Sequence, residues 1–277
     1  MSCIIDIRMS SKFAVEAHDV VKTFGEIKAV DHVSFAIKPG EIFAFLGPNG
    51  AGKSTTIKML TTMLRPTSGQ LYLNGHDVTR ERDSARKSFG IVFQDPALEE
   101  ELTAYENMLF HAVLYGVPKQ DQKPAIEKLM KLVDLWERKD SLVRTYSGGM
   151  RRRLEIARGL LHQPKILFLD EPTLGLDTQT RNILWDYVKK LSQNEGMTIF
   201  FTTHYLDEAE QVAERIAIID RGKIVAEGST KQLTAQTKTK TLEQAYLKLT
   251  GEGTRDQLSE DNNGLNVRGA LLNQRLR

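Results

Sequence analysis

The stretch "EIFAFLGPNGAGKSTTIKML" (Glu41–Leu60) decides the fold. Its centre, Gly47–Ser54, matches the pattern G-x-x-x-x-G-K-[ST] in full. The compact apolar run before it suits a buried strand. The residues after it begin a helix, expected to run through "KSTTIKMLTTMLRP" and to stop before Pro66. This context is what a phosphate loop needs. Glycines let the backbone curl so that its N–H groups converge on phosphate oxygens, and the helix N-terminus adds positive potential. The loop residues Gly47, Pro48, Asn49, Gly50, Ala51, Gly52, Lys53, Ser54 and Thr55 are the candidate phosphate contacts. Lys53 is expected to reach the β- and γ-phosphates, and Ser54 to ligate Mg²⁺.

A second stretch, "KILFLDEP", supplies the complementary acid. Four apolar residues, Ile166–Leu169, belong in the centre of a sheet, so Asp170 emerges at the carboxyl end of that strand, the edge where ligands bind in such folds. Asp170 is the expected Mg²⁺ carboxylate, direct or through water. Glu171 is the candidate base for the attacking water. These features define a phosphate-loop NTPase and leave kinase, GTPase, helicase and transporter motor open. The absence of an Asn-Lys-x-Asp guanine-selecting motif weighs against GTPase.

Outward from this centre, residues 13–40 read as short antiparallel strands, and "QLYLNGHDV" as a strand with an Asn-Gly turn. Long helical patterns occupy about residues 97–161. "KILFLDEP" and "MTIFFTTH", separated by the helical "TRNILWDYVKKLSQ", form a βαβ pattern and imply a parallel sheet. "RIAIIDRGKIVAEG" reads as a hairpin. Residues 251–277, polar and rich in Gly and Asn, are expected to be a disordered tail. The fold class is therefore α/β: a phosphate-loop, RecA-like core with an N-terminal antiparallel β subdomain and an inserted α-helical subdomain.

Composition bounds the function. The chain has 277 residues, 40% of them hydrophobic and 27% charged, which suits one large domain or two small ones. Lys and Arg number 38 against 36 Asp and Glu, a net charge of +2 that gives no case for nucleic-acid binding. The single cysteine, Cys3, rules out an intramolecular disulfide. No apolar run approaches the ~20 residues that span a bilayer. The N-terminal apolar patch is broken by Asp6 and Arg8, unlike a signal peptide. The expectation is a cytoplasmic protein able to dock on a membrane protein.

One helix start is oddly charged. In "TYSGGMRRRLEIARGLL" (Thr145–Leu161), Ser147 is a plausible N-cap, yet Arg151, Arg152 and Arg153 crowd the positive end of the helix dipole. "YSGGMRRRLEIARG" followed closely by "KILFLDEPTLGLD" resembles the ATP-binding-cassette (ABC) ATPases, whose signature is usually Leu-Ser-Gly-Gly-Gln. The resemblance runs from about Phe13 to Thr250 and implies a nucleotide-binding domain over residues 13–250. It implies ATP as substrate, adenine stacking on Phe24 and a Mg²⁺- and water-linking role for Gln94. It also implies that His204 contacts the γ-phosphate and that Asp177 lies in a loop crossing a dimer interface. Ser147, Gly148 and Gly149 would cover the ATP held by a second copy, packed head to tail. Tyr146 and Met150 depart from the usual signature. Methionine followed by arginines is similar to the branch that pairs such ATPases with separately encoded integral-membrane permease subunits, for export of drugs, polysaccharides or lipids. That implies a peripheral position on the inner face of the cell membrane. Glu99-Glu100-Glu101 is expected either to meet basic residues of the permease or to be a solvated face. At least one of the three arginines is expected to pair with an acid of its own subunit. A soluble ABC ATPase acting in repair, translation or cluster assembly is the alternative. His18, His32, His76, His111 and His162 are read as structural or surface.

Overall fold

The structure, a computed structural model, describes residues 12–95 and 97–251. In chain order the first elements are β1 (Val15–Phe24), β2 (Ile27–Ile37), β3 (Ile42–Leu46), α1 (Lys53–Leu60), β4 (Ser68–Leu73) and β5 (His76–Asp77). Then follow α2 (Arg82–Lys87), β6 (Phe89–Val92), α3 (Ala104–Leu114), α4 (Lys119–Leu132) and α5 (Gly148–Gly159). The second half holds β7 (Ile166–Asp170), α6 (Thr178–Glu195), β8 (Thr198–Thr203), α7 (Leu206–Val212), β9 (Arg215–Asp220), β10 (Lys223–Gly228), α8 (Thr230–Thr237) and α9 (Leu242–Thr250).

These strands form two sheets. A six-stranded sheet has the order β10-β9-β3-β8-β7-β6 and is parallel except for the β9–β10 hairpin. A four-stranded antiparallel sheet has the order β2-β1-β4-β5. The N-terminal strands are longer than the sequence suggests, at 10 and 11 residues.

β3 lies inside the large sheet with all five residues buried, so it needs apolar side chains on both faces. The period of two divides them. Phe43 and Phe45 join a core shared with β1, β2 and α1, where Phe35, Phe168 and Phe200 pack together. Ile42, Ala44 and Leu46 face the opposite core, which holds α3, α4, α5 and α6 residues. The same parity sets the site. On β7, Phe168 points to the α1 side, as does Phe200 on β8. Two residues further on, Asp170 and Thr202 return to that side as register partners.

One expectation fails. α1 ends at Leu60 rather than continuing to Arg65. Thr62 takes a left-handed φ of 63°, and its N–H bonds to Met59 O while that of Met63 bonds to Lys58 O. That pattern satisfies the last carbonyls and stops the helix before Pro66 can influence it. Apart from Gly251, the tail expected over residues 251–277 lies outside the described residues. No helix among the described residues is long and apolar enough to cross a membrane.

Candidate functional site

The phosphate loop joins β3 to α1 and curls beneath the start of β2. Gly52 has φ 104°, and a Cβ there would sit 2.4 Å from Ala29 O, so only glycine fits. Gly52 is also the N-cap of α1 and offers no side-chain hydrogen bond to the helix. The first turn, Lys53-Ser54-Thr55-Thr56, has no acidic residue. The open N–H groups of this helix start make an anion site.

Asn49 to Thr55, with Ala29, Gln94 and Glu171, line a cavity of about 350 Å³. Lys53 is buried beside it and donates to Gly47 O at 2.8 Å and Pro48 O at 3.1 Å. Its Nζ lies 3.1 Å from Glu171 Oε1. The Ser54 hydroxyl donates to Asp170 Oδ1 at 3.1 Å. That pair of hard oxygens suits Mg²⁺, which typically takes one or two carboxylates plus substrate phosphates. Glu171 holds a left-handed φ of 46°, uncommon for a residue with a side chain. His204 follows β8 and brings Nδ1 to 3.3 Å from Glu171 Oε2 without hydrogen-bond alignment. This buried Nδ1 has no hydrogen-bond partner among the described residues. The site thus offers helix N–H groups, a lysine, a hydroxyl–carboxylate pair and an unpartnered imidazole nitrogen, which fits a nucleoside triphosphate with Mg²⁺.

Sequence reasoning missed Thr202, which is fully buried. Its hydroxyl donates to Asp170 Oδ1 at 2.6 Å and accepts from the Glu171 N–H at 3.0 Å. It ties the two acids together and holds the strained backbone of Glu171. The signal lay in the parity of "TIFFTTH": Thr202 shares the face of Phe200, but only the β7–β8 register sets it opposite Asp170. Thr202→Val would leave the Glu171 N–H buried and unsatisfied, a cost of about 1–3 kcal/mol. ATP turnover should fall about tenfold through misplacement of the base, while Thr202→Ser stays near the parent. Steady-state hydrolysis and thermal melts of both variants check this.

Other candidates lie away from the cavity. Phe24 sits at the β1–β2 hairpin end, 49% exposed, with Lys22 Nζ 5.0 Å from its ring centroid. Asp177 caps α6, accepting from Thr180 N–H at 2.9 Å and from its hydroxyl at 2.7 Å, which holds its carboxyl below the ordinary value. Ser147 caps α5 through Met150 N–H, as expected. Neither Ser147, Gly148 nor Gly149 is among the described residues lining the phosphate-loop cavity. Gly149 has a second reason to be glycine: a Cβ there would lie 2.2 Å from Thr180 Cγ2 on α6.

The acidic run and the arginines meet within the chain, which bears out the expectation that at least one arginine pairs with an acid of its own subunit. Glu100 pairs with Arg151 at 2.6 Å and Glu101 lies 3.6 Å from Arg144. Both are surface pairs, and Glu99, Glu100 and Glu101 are all exposed, as the solvated acidic face would be. Arg153 turns to Val133 O at 3.0 Å. Of the histidines, His162 stacks on Tyr115 at 4.1 Å and donates its Nε2–H to Phe89 O at 2.8 Å; the His111 ring lies 4.8 Å from that of Tyr115. Burial pushes His111 down to about 4, with help from Arg158, so it is a neutral packing residue at neutral pH.

The model of the ABC transporter family matches residues 30–174. The daunorubicin/doxorubicin resistance ATP-binding protein DrrA of Streptomyces peucetius is 44% identical over 220 residues, covering 79% of this chain and 66% of that protein. The linearmycin resistance ATP-binding protein LnrL of Bacillus subtilis is 40% identical over 219 residues, covering 79% of this chain and 70% of that protein. The chain thus spans about two thirds of the length of these relatives. Among solved structures, an ATP-binding subunit of an ABC transporter superposes with TM-score 0.77 at 28% identity, covering 85% of this chain and 99% of that one. A dimeric post-hydrolysis state of the cassette MJ0796, bound to ADP and Pi, superposes with TM-score 0.70 at 29% identity, covering 78% of this chain and 98% of that one.

Proposed function

This chain belongs to the ABC transporter family, and from that premise we propose that it is the ATP-hydrolysing motor subunit of a membrane exporter, working as a head-to-tail dimer with a separate integral-membrane permease. Residues 13–250 form the nucleotide-binding domain, with a helical subdomain at about 97–161. The observation that carries the reading is the split site. Lys53 and Glu171 line the phosphate-loop cavity, and His204 stands against Glu171 and, with Pro48 and Asn49, lines a second hollow at the same loop, whereas the Ser147-Gly148-Gly149 helix start lines neither. Each chain is then two half-sites, completed by a second copy that brings its Ser147-Gly148-Gly149 over the bound ATP.

Within one half-site, Lys53 exchanges its two loop carbonyls for phosphate oxygens. Ser54 and Asp170, with Gln94, would hold Mg²⁺, which would supply positive charge against the transferring phosphoryl group. Glu171 takes the proton of the attacking water, and His204 donates to the γ-phosphate. Phe24 stacks on adenine, and Asp177 lies at the dimer contact. The names of the resistance relatives support an exporter of drugs; lipids and polysaccharides, and a place on the inner face of the membrane, belong to the wider reading that the signature motif implies. The soluble alternative draws support from none of these relatives.

α3 suits the permease contact. Phe110, Val113 and Leu114 are spaced to share one helical face and are 57%, 60% and 63% exposed. Beside them Phe93, Ala97, Tyr115 and Arg158 line a groove of about 280 Å³ reaching the Gln94 segment. Phe110→Glu combined with Val113→Glu should lower recovery of the chain in the membrane fraction of its own cells about tenfold, as loss of a hot-spot pair costs. Hydrolysis by the purified chain should change less than twofold, because the face lies outside the phosphate-loop cavity. Unchanged membrane recovery would remove α3 as the docking face.

A further inference from the structure

Cations near a helix N-terminus are unfavourable. α5 starts at Gly148, so Arg151 closes its first turn and Arg152 and Arg153 fall in the second, and Arg152 is the one that turns inward, 6% exposed. Its guanidinium donates to Phe93 O and, at 2.9 Å, to Gln94 O. It pairs with Glu155 at 3.0 Å. Glu155 is 2% exposed, and its other oxygen accepts from the Ala97 N–H at 2.8 Å. Further along α5, Arg158 donates to Ala97 O. The irregular chain leaving β6 is therefore bonded to α5 at Phe93, Gln94 and Ala97.

Desolvation pushes Arg152 below and Glu155 above their ordinary values, the sign of a pair that burial opposes. Apolar residues of similar volume would pack such a position about as stably. What they lack is the set of donors and acceptors that fixes three backbone groups of a loop against a helix. Gln94 lines the phosphate-loop cavity, and Ser147 caps the same α5 that carries the pair.

We propose that the Arg152–Glu155 pair is a positioning device that locks Gln94 to α5, so that the phosphate-loop cavity of a chain and its Ser147-Gly148-Gly149 helix start move as one unit. This rests on the composite-site reading above. Nucleotide entering the cavity draws on Gln94. The pair carries that displacement to the N-terminus of α5, which covers the nucleotide of the second copy. Occupation of one site then favours closure of the other. Arg152 touches no reacting atom; it acts through Gln94.

The test removes both charges together, by Arg152→Met with Glu155→Leu, in a Glu171→Gln parent. ATP binding to the monomer is read with a fluorescent ATP analogue, and ATP-driven dimerisation by analytical ultracentrifugation. Binding to the monomer should stay within twofold of the parent. Dimerisation should weaken about tenfold, the size of a typical coupling between sites. Adding Gln94→Ala to the double variant should weaken it no further, because the pair and Gln94 act in series. Unchanged dimerisation overturns the proposal, and so does a further loss from Gln94→Ala that multiplies with the first. A merely structural pair would alter melting and leave this non-additivity absent. If the double variant does not fold, Arg152→Gln, whose single amide cannot span both carbonyls, carries the same expectations. If the Glu171→Gln parent itself forms no ATP-driven dimer, the composite-site reading fails and the proposal falls with it; a dimerising parent with an equally dimerising double variant sinks the proposal alone.

Discussion

Glu171→Gln is expected to lower ATP turnover by about 10²- to 10⁴-fold, the range that a positioned general base contributes, while ATP still binds. The carboxylate is 8% exposed and sits between Lys53 Nζ at 3.1 Å and His204 Nδ1 at 3.3 Å. Its backbone is fixed by Thr202 rather than by its own side chain. Glutamine has the same shape and keeps that backbone bond, so the fold and the phosphate loop stay as they are. The amide accepts no proton from water, so hydrolysis stops at the bound triphosphate. The ATP-bound dimer should therefore accumulate. Phosphate release in a single-turnover assay and the elution position with Mg²⁺ and ATP would both report it. Turnover within about threefold of the parent would remove Glu171 as the base, since proton transfer is worth far more than that.

The second large effect concerns stoichiometry. Lys53→Ala removes the ammonium proposed to reach the phosphates, and Ser147→Arg puts a long cation on the exposed cap of α5. Each variant alone should be inactive. In the proposed two-fold dimer each site takes its phosphate loop from one chain and its Ser147 from the other. A mixed dimer then has one site with both lesions and one with neither. With random pairing of equal amounts, half of the dimers are mixed, and activity should recover to about a quarter of the parent level if sites turn over independently. A mixture with proven mixed dimers and no recovery contradicts a composite site with independent turnover. Recovery together with normal activity of either parent would instead show that the single chain is complete.

Much of the site was legible because its physics is local. A phosphate loop needs glycines, a lysine and a hydroxyl at fixed spacing between a buried strand and a helix, and the chain states all of these within Gly47–Ser54. The Asp170-Glu171 pair follows directly from a strand too apolar to be anywhere but the sheet centre. The shorter α1 was not legible, because Thr62 adopting a left-handed conformation depends on which carbonyls its neighbours cap, and threonine carries no such signal. Thr202 was hidden for another reason. A threonine near a strand end is ordinary, and its role exists only once β7 and β8 are in register.

The arginines mark the boundary most sharply. By itself the sequence determined the fold class, the order of the elements, the candidate phosphate and acid residues, and that three arginines follow the Ser147 cap within the first turns of α5. It could not say where three consecutive side chains point, since successive residues on a helix diverge by about 100°. Only the tertiary structure sent Arg151 to Glu100, Arg153 to Val133 and Arg152 to the backbone of Phe93 and Gln94. A charged side chain within reach of several partners is committed by whichever of them the folded chain brings close and desolvates. For Arg152 those partners lie nearly sixty residues away along the chain, a distance over which no local pattern carries information.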